Sequence, residues 1–260
     1  LARLLALGAG DVVVFDGPSH GDAEEPLAAV AVNGDNIDTS GLSPEVAEQT
    51  DDIWQRFVTL IPADQRQMVA NFELLSADYQ GAHVYPNEDD PTKWTLGVGQ
   101  GLGDDRDYVL IHEFGHLLTL QAKEVPPSND NGGCSTYHTG EGCALQGSTF
   151  ADFVAKFWPQ DMRDKVLGLY EAEDYDGLEA FYEENKDRFV TDYAERNPER
   201  EDLAETALFA YAFLHHPDRL PPVDSADVRA AVPARLQVLT QILKSDPEIG
   251  PLSDPPTGCR

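Results

Sequence analysis

The sequence predicts an α+β fold, with strands and helices mixed in the first half and helices alone in the second. Three observations carry this expectation. Apolar residues alternate with period two over Met68 to Leu75 and Trp94 to Val98, the mark of half-buried strands. They recur at spacings of three and four after Ser43, Ser148 and Asn197, the mark of amphipathic helices. The 260 residues are 41% hydrophobic, enough to close a sizeable core. The expected organisation is an approach segment, 1–43, followed by one domain, 44–260. Within that domain a strand and helix half (44–125) leads through a cysteine loop (126–148) to a helical half (149–260).

Asp16 to Ser43 is rich in Gly, Asp and Pro and reads as loop with one short strand at Leu27 to Val32. Ser43-Pro44-Glu45 has the form of a helix start: a capping hydroxyl, a proline in the first turn and a carboxylate near the positive end of the dipole. Val46, Ile53, Trp54, Phe57 and Leu60 then share a face until Pro62. The strand at Met68 to Leu75 follows, and Trp94 to Val98 comes after the turn-rich NEDDPTK. This second strand reads either as the sheet edge, open to an extended peptide, or as part of an interior hairpin. From Asp105 to Gln121 the chain is apolar on nearly every side, which predicts a buried helix ended by Pro126 and Pro127. Helices are further expected from Ser148 to Trp158, from Gly177 to Phe189, from Glu199 to His216 behind an Asn197 cap and Pro198, and from Pro233 to Lys244.

Charge narrows the function classes. Eighteen Lys and Arg stand against 47 Asp and Glu, a formal charge of −29, which disfavours nucleic acid and anionic membrane surfaces as partners. The excess reads either as a solvated acidic surface or as selection for basic substrates. No stretch approaches the length of a membrane span, and a soluble chain is expected. The chain opens on Leu1 without a methionine, and LARLLALGAG reads as the end of an apolar leader or as an ordinary terminal segment. Cys134 and Cys143 have eight residues between them in GGCSTYHTGEGCA. A local disulfide between them is the expected use; zinc with His138 competes, but the spacing is not the two-residue step of a zinc knuckle, and a pair of free thiols is the remaining alternative. A disulfide there places the protein outside the cell; Cys259 stands apart from the pair.

The chemistry concentrates at His112-Glu113-Phe114-Gly115-His116, an H-E-x-x-H pattern inside the buried helix. Residues four apart share a helix face, so both imidazoles can reach one metal while Glu113 points at a molecule bound to it. An accidental match is expected on the order of 0.01 times in a chain of this composition. Two histidines and a carboxylate amid Val, Leu, Ile and Phe are costly to bury without a partner, and a divalent cation supplies one. The extended pattern with a third histidine fails, because Thr119 and Ala122 occupy its Gly and last His positions. A distant carboxylate must complete the set. Glu201 and Glu205 lie one turn apart on one face of an otherwise apolar helix. One can ligate while the other accepts the outer N–H of a ligating histidine; a solvent-facing first turn is the plain alternative. Asp192 is the other candidate ligand. Tyr193, beside it, reads as either a packing residue or a donor to a developing oxyanion.

These residues resemble the gluzincin group of zinc metallopeptidases, which combine H-E-x-x-H with a distant glutamate. Tyr193-Ala194, followed by Glu201-Asp202-Leu203-Ala204-Glu205, is similar to the Tyr, E-x-x-A-E arrangement of anthrax-toxin lethal factor-like catalytic domains. It is also similar to secreted zinc peptidases of Gram-positive bacteria, in which a cysteine loop follows the active-site helix. The resemblance spans about Trp94 to His216. It implies a zincin-like fold, one zinc ion on His112, His116 and Glu201, Glu113 as general base, Tyr193 as oxyanion donor and Glu205 behind a ligating histidine. The expected function is therefore a secreted, zinc-dependent endopeptidase acting on peptide or protein substrates. A non-catalytic zinc-containing binding protein and a metal-dependent hydrolase of another substrate are the rivals. Oligomeric state is not read from the sequence.

Overall fold

The computed structural model describes residues 12–13, 25–79, 81–87, 90, 92–120, 143–144, 148–191, 193–194, 200–216, 233–237 and 239. The strands are β1 (Val12–Val13), β2 (Ala28–Asn33), β3 (Asn36–Ile37), β4 (Val69–Leu75), β5 (Ala82–Pro86), β6 (Trp94–Gly99) and β7 (Cys143–Ala144). The helices are α1 (Pro44–Leu60), α2 (Arg106–Leu120), α3 (Thr149–Phe157), α4 (Gln160–Glu171), α5 (Tyr175–Asn185) and α6 (Arg200–His215). The fold is thus mixed α+β, with a five-stranded sheet in the order β3-β2-β4-β6-β5. β4 and β6 run parallel, and β2 and β5 pair antiparallel with them. β1 and β7 form a separate antiparallel pair.

Local chemistry explains the elements. Ser43 caps α1, its side chain accepting from the Val46 N–H at 3.4 Å. One stripe, Ile53, Trp54, Phe57 and Leu60, is buried; Trp54 packs on Phe72 of β4 with ring centroids 5.7 Å apart. The Trp54 indole N–H still needs an acceptor and finds the Asp35 carbonyl at 2.9 Å. In register, Phe72, Leu96 and Val84 form one row across β4, β6 and β5, turned to the same side as Trp54. On the opposite face Glu73, Gly97 and His83 form the next row. A Cβ on Gly97 would lie 2.3 Å from His83 Nε2, so the ring occupies the space that the glycine leaves.

One open reading closes, one boundary moves and two elements are new. Trp94 to Val98 is an interior strand, with every residue of β6 buried, because β5 occupies the edge beyond it. The chain leaves β4, passes outward to β5 and returns by a hairpin to fill the gap. β5 itself is absent from the sequence reading: AHVYP has only Val84 and Pro86 buried, and its proline suits an edge strand. α4 is also new. Pro159 ends α3 and at once starts the next helix, its carbonyl accepting from the N–H groups of Met162 and Arg163 at 3.0 and 3.1 Å. α5 begins at Tyr175 rather than Gly177 because Asp174 is its cap, accepting from the Gly177 N–H at 2.9 Å. It gives way at Lys186–Arg188 to one 3-10 turn. In the last expected helix only 233–237 and 239 are described, and they are helical. Cys134, His138, Asp192, the 195–199 segment and Cys259 lie outside the described residues, and with them the expected disulfide. Among the described residues no helix is long and apolar enough to cross a membrane.

Candidate metal centre

α2 is buried without interruption from Leu110 to Leu120, and α6 from Glu201 to Ala212. The two helices pack along one another. Gly115 permits the approach: a Cβ there would lie 2.7 Å from the Ala204 carbonyl oxygen and 3.3 Å from its Cα. Small residues on both sides bring the first turn of α6 over the histidines of α2.

The result is a convergent donor set. His112 Nε2 lies 3.2 Å from Glu201 Oε2, and His116 Nε2 lies 3.0 Å from the same oxygen. One ligand atom from each of the three residues falls within 4.8 Å of the others, and all three residues are buried. Two imidazole nitrogens and a carboxylate oxygen form a donor set that can hold a metal ion. Metal–ligand bonds of about 2.0–2.1 Å in a tetrahedron place neighbouring donor atoms ~3.3 Å apart, close to the two histidine–Glu201 separations.

A second carboxylate fixes the first histidine. His112 Nδ1–H donates to Glu205 Oε1 at 2.6 Å. Tyr108 Oη and Thr191 Oγ1 donate to Glu205 Oε2 at 2.5 and 2.8 Å. Glu205 is fully buried, so three donors offset its desolvation. The His116 Nδ1 atom is buried and has no hydrogen-bond partner among the described residues; only one of the two imidazoles is held from behind by a side chain described here. The rings stand edge to face, with centroids 4.7 Å apart.

Glu113 is buried beside these rings. Burial pushes its carboxyl above the ordinary range, with His116 and His112 opposing the rise and Glu201 adding to it. For His112 burial acts downward, but the hydrogen bonds its ring donates to Glu201 and Glu205, with the charges of Glu205 and Glu113, outweigh it and raise its pKa well above the usual value. A metal at Nε2 must therefore displace a proton from His112. Metal uptake near neutral pH is expected to release a proton, with affinity rising as pH rises. Calorimetry in buffers of different ionisation enthalpy measures this, and a pH-independent affinity between pH 6 and 8 contradicts it.

Tyr193 is 47% exposed, with its ring edge-on to His112 at a centroid distance of 5.7 Å. It borders the donor set without being buried in it. Behind Glu201, the fully buried Asp202 accepts from Trp158 Nε1 at 2.8 Å and pairs with buried Arg235. The Arg235 guanidinium stands over the Phe157 ring at 4.4 Å and the Phe189 ring at 5.2 Å. This pair ties the start of α6, and so Glu201, to α3 and to the 233–237 turn.

The structure thus brings His112, His116, Glu201 and Glu205 into one buried group with Glu113 beside it and Tyr193 at its rim. Sequence reasoning missed Tyr108, one turn before His112 on the same face, Thr191, and the small residues that let the helices touch. Gly115→Ala tests that contact. In an isolated helix the change is favourable by about 1 kcal/mol, but here the added methyl meets backbone that cannot rotate away. Metal affinity is expected to fall at least about tenfold as Glu201 is displaced. Chelator competition reads it, and unchanged affinity contradicts the close approach.

In comparisons with known proteins no family model matches this chain, and neither does any curated protein or solved structure.

Proposed function

We propose that the protein is a zinc-dependent peptidase of gluzincin type with a zincin-like fold. The observation that carries this reading is the convergence of His112, His116 and Glu201 on one point with buried Glu113 beside them. A structural zinc site is closed by four protein ligands, whereas a catalytic one keeps a position open. The group has three such donors among the described residues, and Glu113 is a base with no place in a purely structural site.

His112, His116 and Glu201 would hold the zinc, which would supply Lewis acidity toward a water and a carbonyl oxygen. Glu113 takes the proton of the attacking water and passes it to the leaving amine. Burial suits it to that exchange, because a carboxyl pushed upward is a stronger base toward water than an ordinary one. Glu205 holds the His112 ring through Nδ1 and turns Nε2 toward the metal position, where a metal takes the place of the Nε2 proton. The Tyr193 phenol donates to the oxygen that gains charge as water attacks. β5, the sheet edge packed near α2, offers its outer side to an extended peptide that adds as a further strand.

Tyr193→Phe separates this role from packing. Loss of a donor used only in the transition state is expected to lower kcat about 10²-fold with KM nearly unchanged and zinc retained. A kcat within about threefold of wild type removes Tyr193 from the mechanism. The peptidase reading itself is tested by mapping new N-termini in a secretome incubated with the zinc-loaded protein and with its Glu113→Gln form. New termini with wild type alone support it. One zinc per chain with no new terminus in any peptide mixture points to a binding protein instead.

A further inference from the structure

Thr191 lies between two parts of the site that the sequence treats separately. Its hydroxyl donates to Glu205 Oε2 at 2.8 Å and accepts from the Ala194 backbone N–H at 3.0 Å. The first contact reaches the carboxylate that orients His112. The second closes the helical turn of Tyr193-Ala194, in the manner of a capping threonine three residues ahead of the amide it serves. Ala194 is fully buried, so this turn is anchored to the body of the protein while the Tyr193 ring projects outward against His112.

We propose that Thr191 is a positioning residue that couples the carboxylate behind His112 to the placement of Tyr193. The inference rests on the reading of this site as a metal-dependent hydrolase centre. A single hydroxyl sets two things at once. As donor it neutralises part of the negative charge on Glu205 and fixes the carboxylate plane, so that Oε1 faces His112 Nδ1. As acceptor it holds the turn that carries Tyr193 at the rim of the donor set. Tyr108, on α2, is a second donor to Glu205 Oε2, so Glu205 keeps one hydroxyl partner when Thr191 loses its own. Valine has the shape of threonine without the hydroxyl, and serine keeps the hydroxyl without the methyl.

The test uses the full chain with Thr191→Val and Thr191→Ser, checked for folding by circular dichroism; Thr191→Ala replaces the valine variant if that one fails to fold. Zinc affinity is measured by chelator competition, and the Tyr193 environment by the fluorine resonance of 3-fluorotyrosine-labelled metal-free protein, assigned with Tyr193→Phe. Thr191→Val is expected to weaken zinc binding by about 3–10-fold, since Tyr108 still holds Glu205. In a Glu205→Gln background it should change affinity by less than about twofold, because the two act through one path. The Tyr193 resonance should shift in Thr191→Val, and Thr191→Ser should match wild type in both measurements. With zinc saturating, Thr191→Val should lower kcat about tenfold at constant KM, and have little further effect on Tyr193→Phe. Unchanged affinity, an unmoved Tyr193 resonance, or equal defects in the serine and valine variants overturns the proposal. A wild-type protein that cleaves nothing overturns the hydrolase reading instead; the affinity cycle and the fluorine resonance still decide whether Thr191 couples the two groups.

Discussion

Glu113→Gln is expected to lower kcat by about 10²–10⁴-fold while zinc stays bound at one ion per chain. The substitution keeps the size of the side chain and removes only its basicity. None of the three donors that converge on the metal position belongs to Glu113, so the metal has no reason to leave. Removing a buried carboxylate whose burial already penalises its charge also relieves a desolvation cost. The variant should thus be at least as stable as wild type, and a thermal melt beside the kinetics checks this. Zinc loss in Glu113→Gln would mean that Glu113 is itself a ligand, and the mechanism would have to be rebuilt around another base.

Glu201→Ala should abolish stoichiometric zinc binding, whereas Glu205→Ala should weaken it by only about 10–100-fold, as expected for loss of the group behind a ligand. The geometry separates two carboxylates that a shared helix face alone does not. Glu201 Oε2 faces the Nε2 atoms of both histidines, while Glu205 meets only the far side of the His112 ring. Removing Glu201 deletes a donor; removing Glu205 leaves His112 in place but free to turn, with Tyr108 and Thr191 facing an empty space. Metal analysis after dialysis against a weak chelator distinguishes the two, and equal or reversed losses would exchange their roles.

How much of this was legible in the sequence follows from the range of the interactions involved. His112, Glu113 and His116 are placed by helix periodicity within one buried segment, a local property. Glu201 and Glu205 stood out because two carboxylates on one face of an apolar helix contradict their surroundings. α1 was readable from its cap and proline, which act within a few residues. β5 was not, because an edge strand needs to bury only one side and AHVYP offers little apolar alternation. The choice between edge and interior for β6 stayed open, since it depends on which neighbour arrives beyond it. α4 carries a thin stripe, Met162 and Val166, among charged residues, and Pro159 looked only like a stop. Gly115, Tyr108 and Thr191 matter through partners in α6, far along the chain, and no local pattern marks them.

The central claim is that His112, His116 and Glu201 hold a catalytic zinc with an open position. Zinc K-edge absorption spectroscopy on the loaded protein tests it most directly, in wild type and in Glu113→Gln. Only nitrogen and oxygen scatterers are expected, at about 2.0–2.1 Å, two of them imidazoles, with the same ligand shell in both proteins. A sulfur scatterer at about 2.3 Å, four protein ligands, or a shell that changes with Glu113→Gln would contradict it.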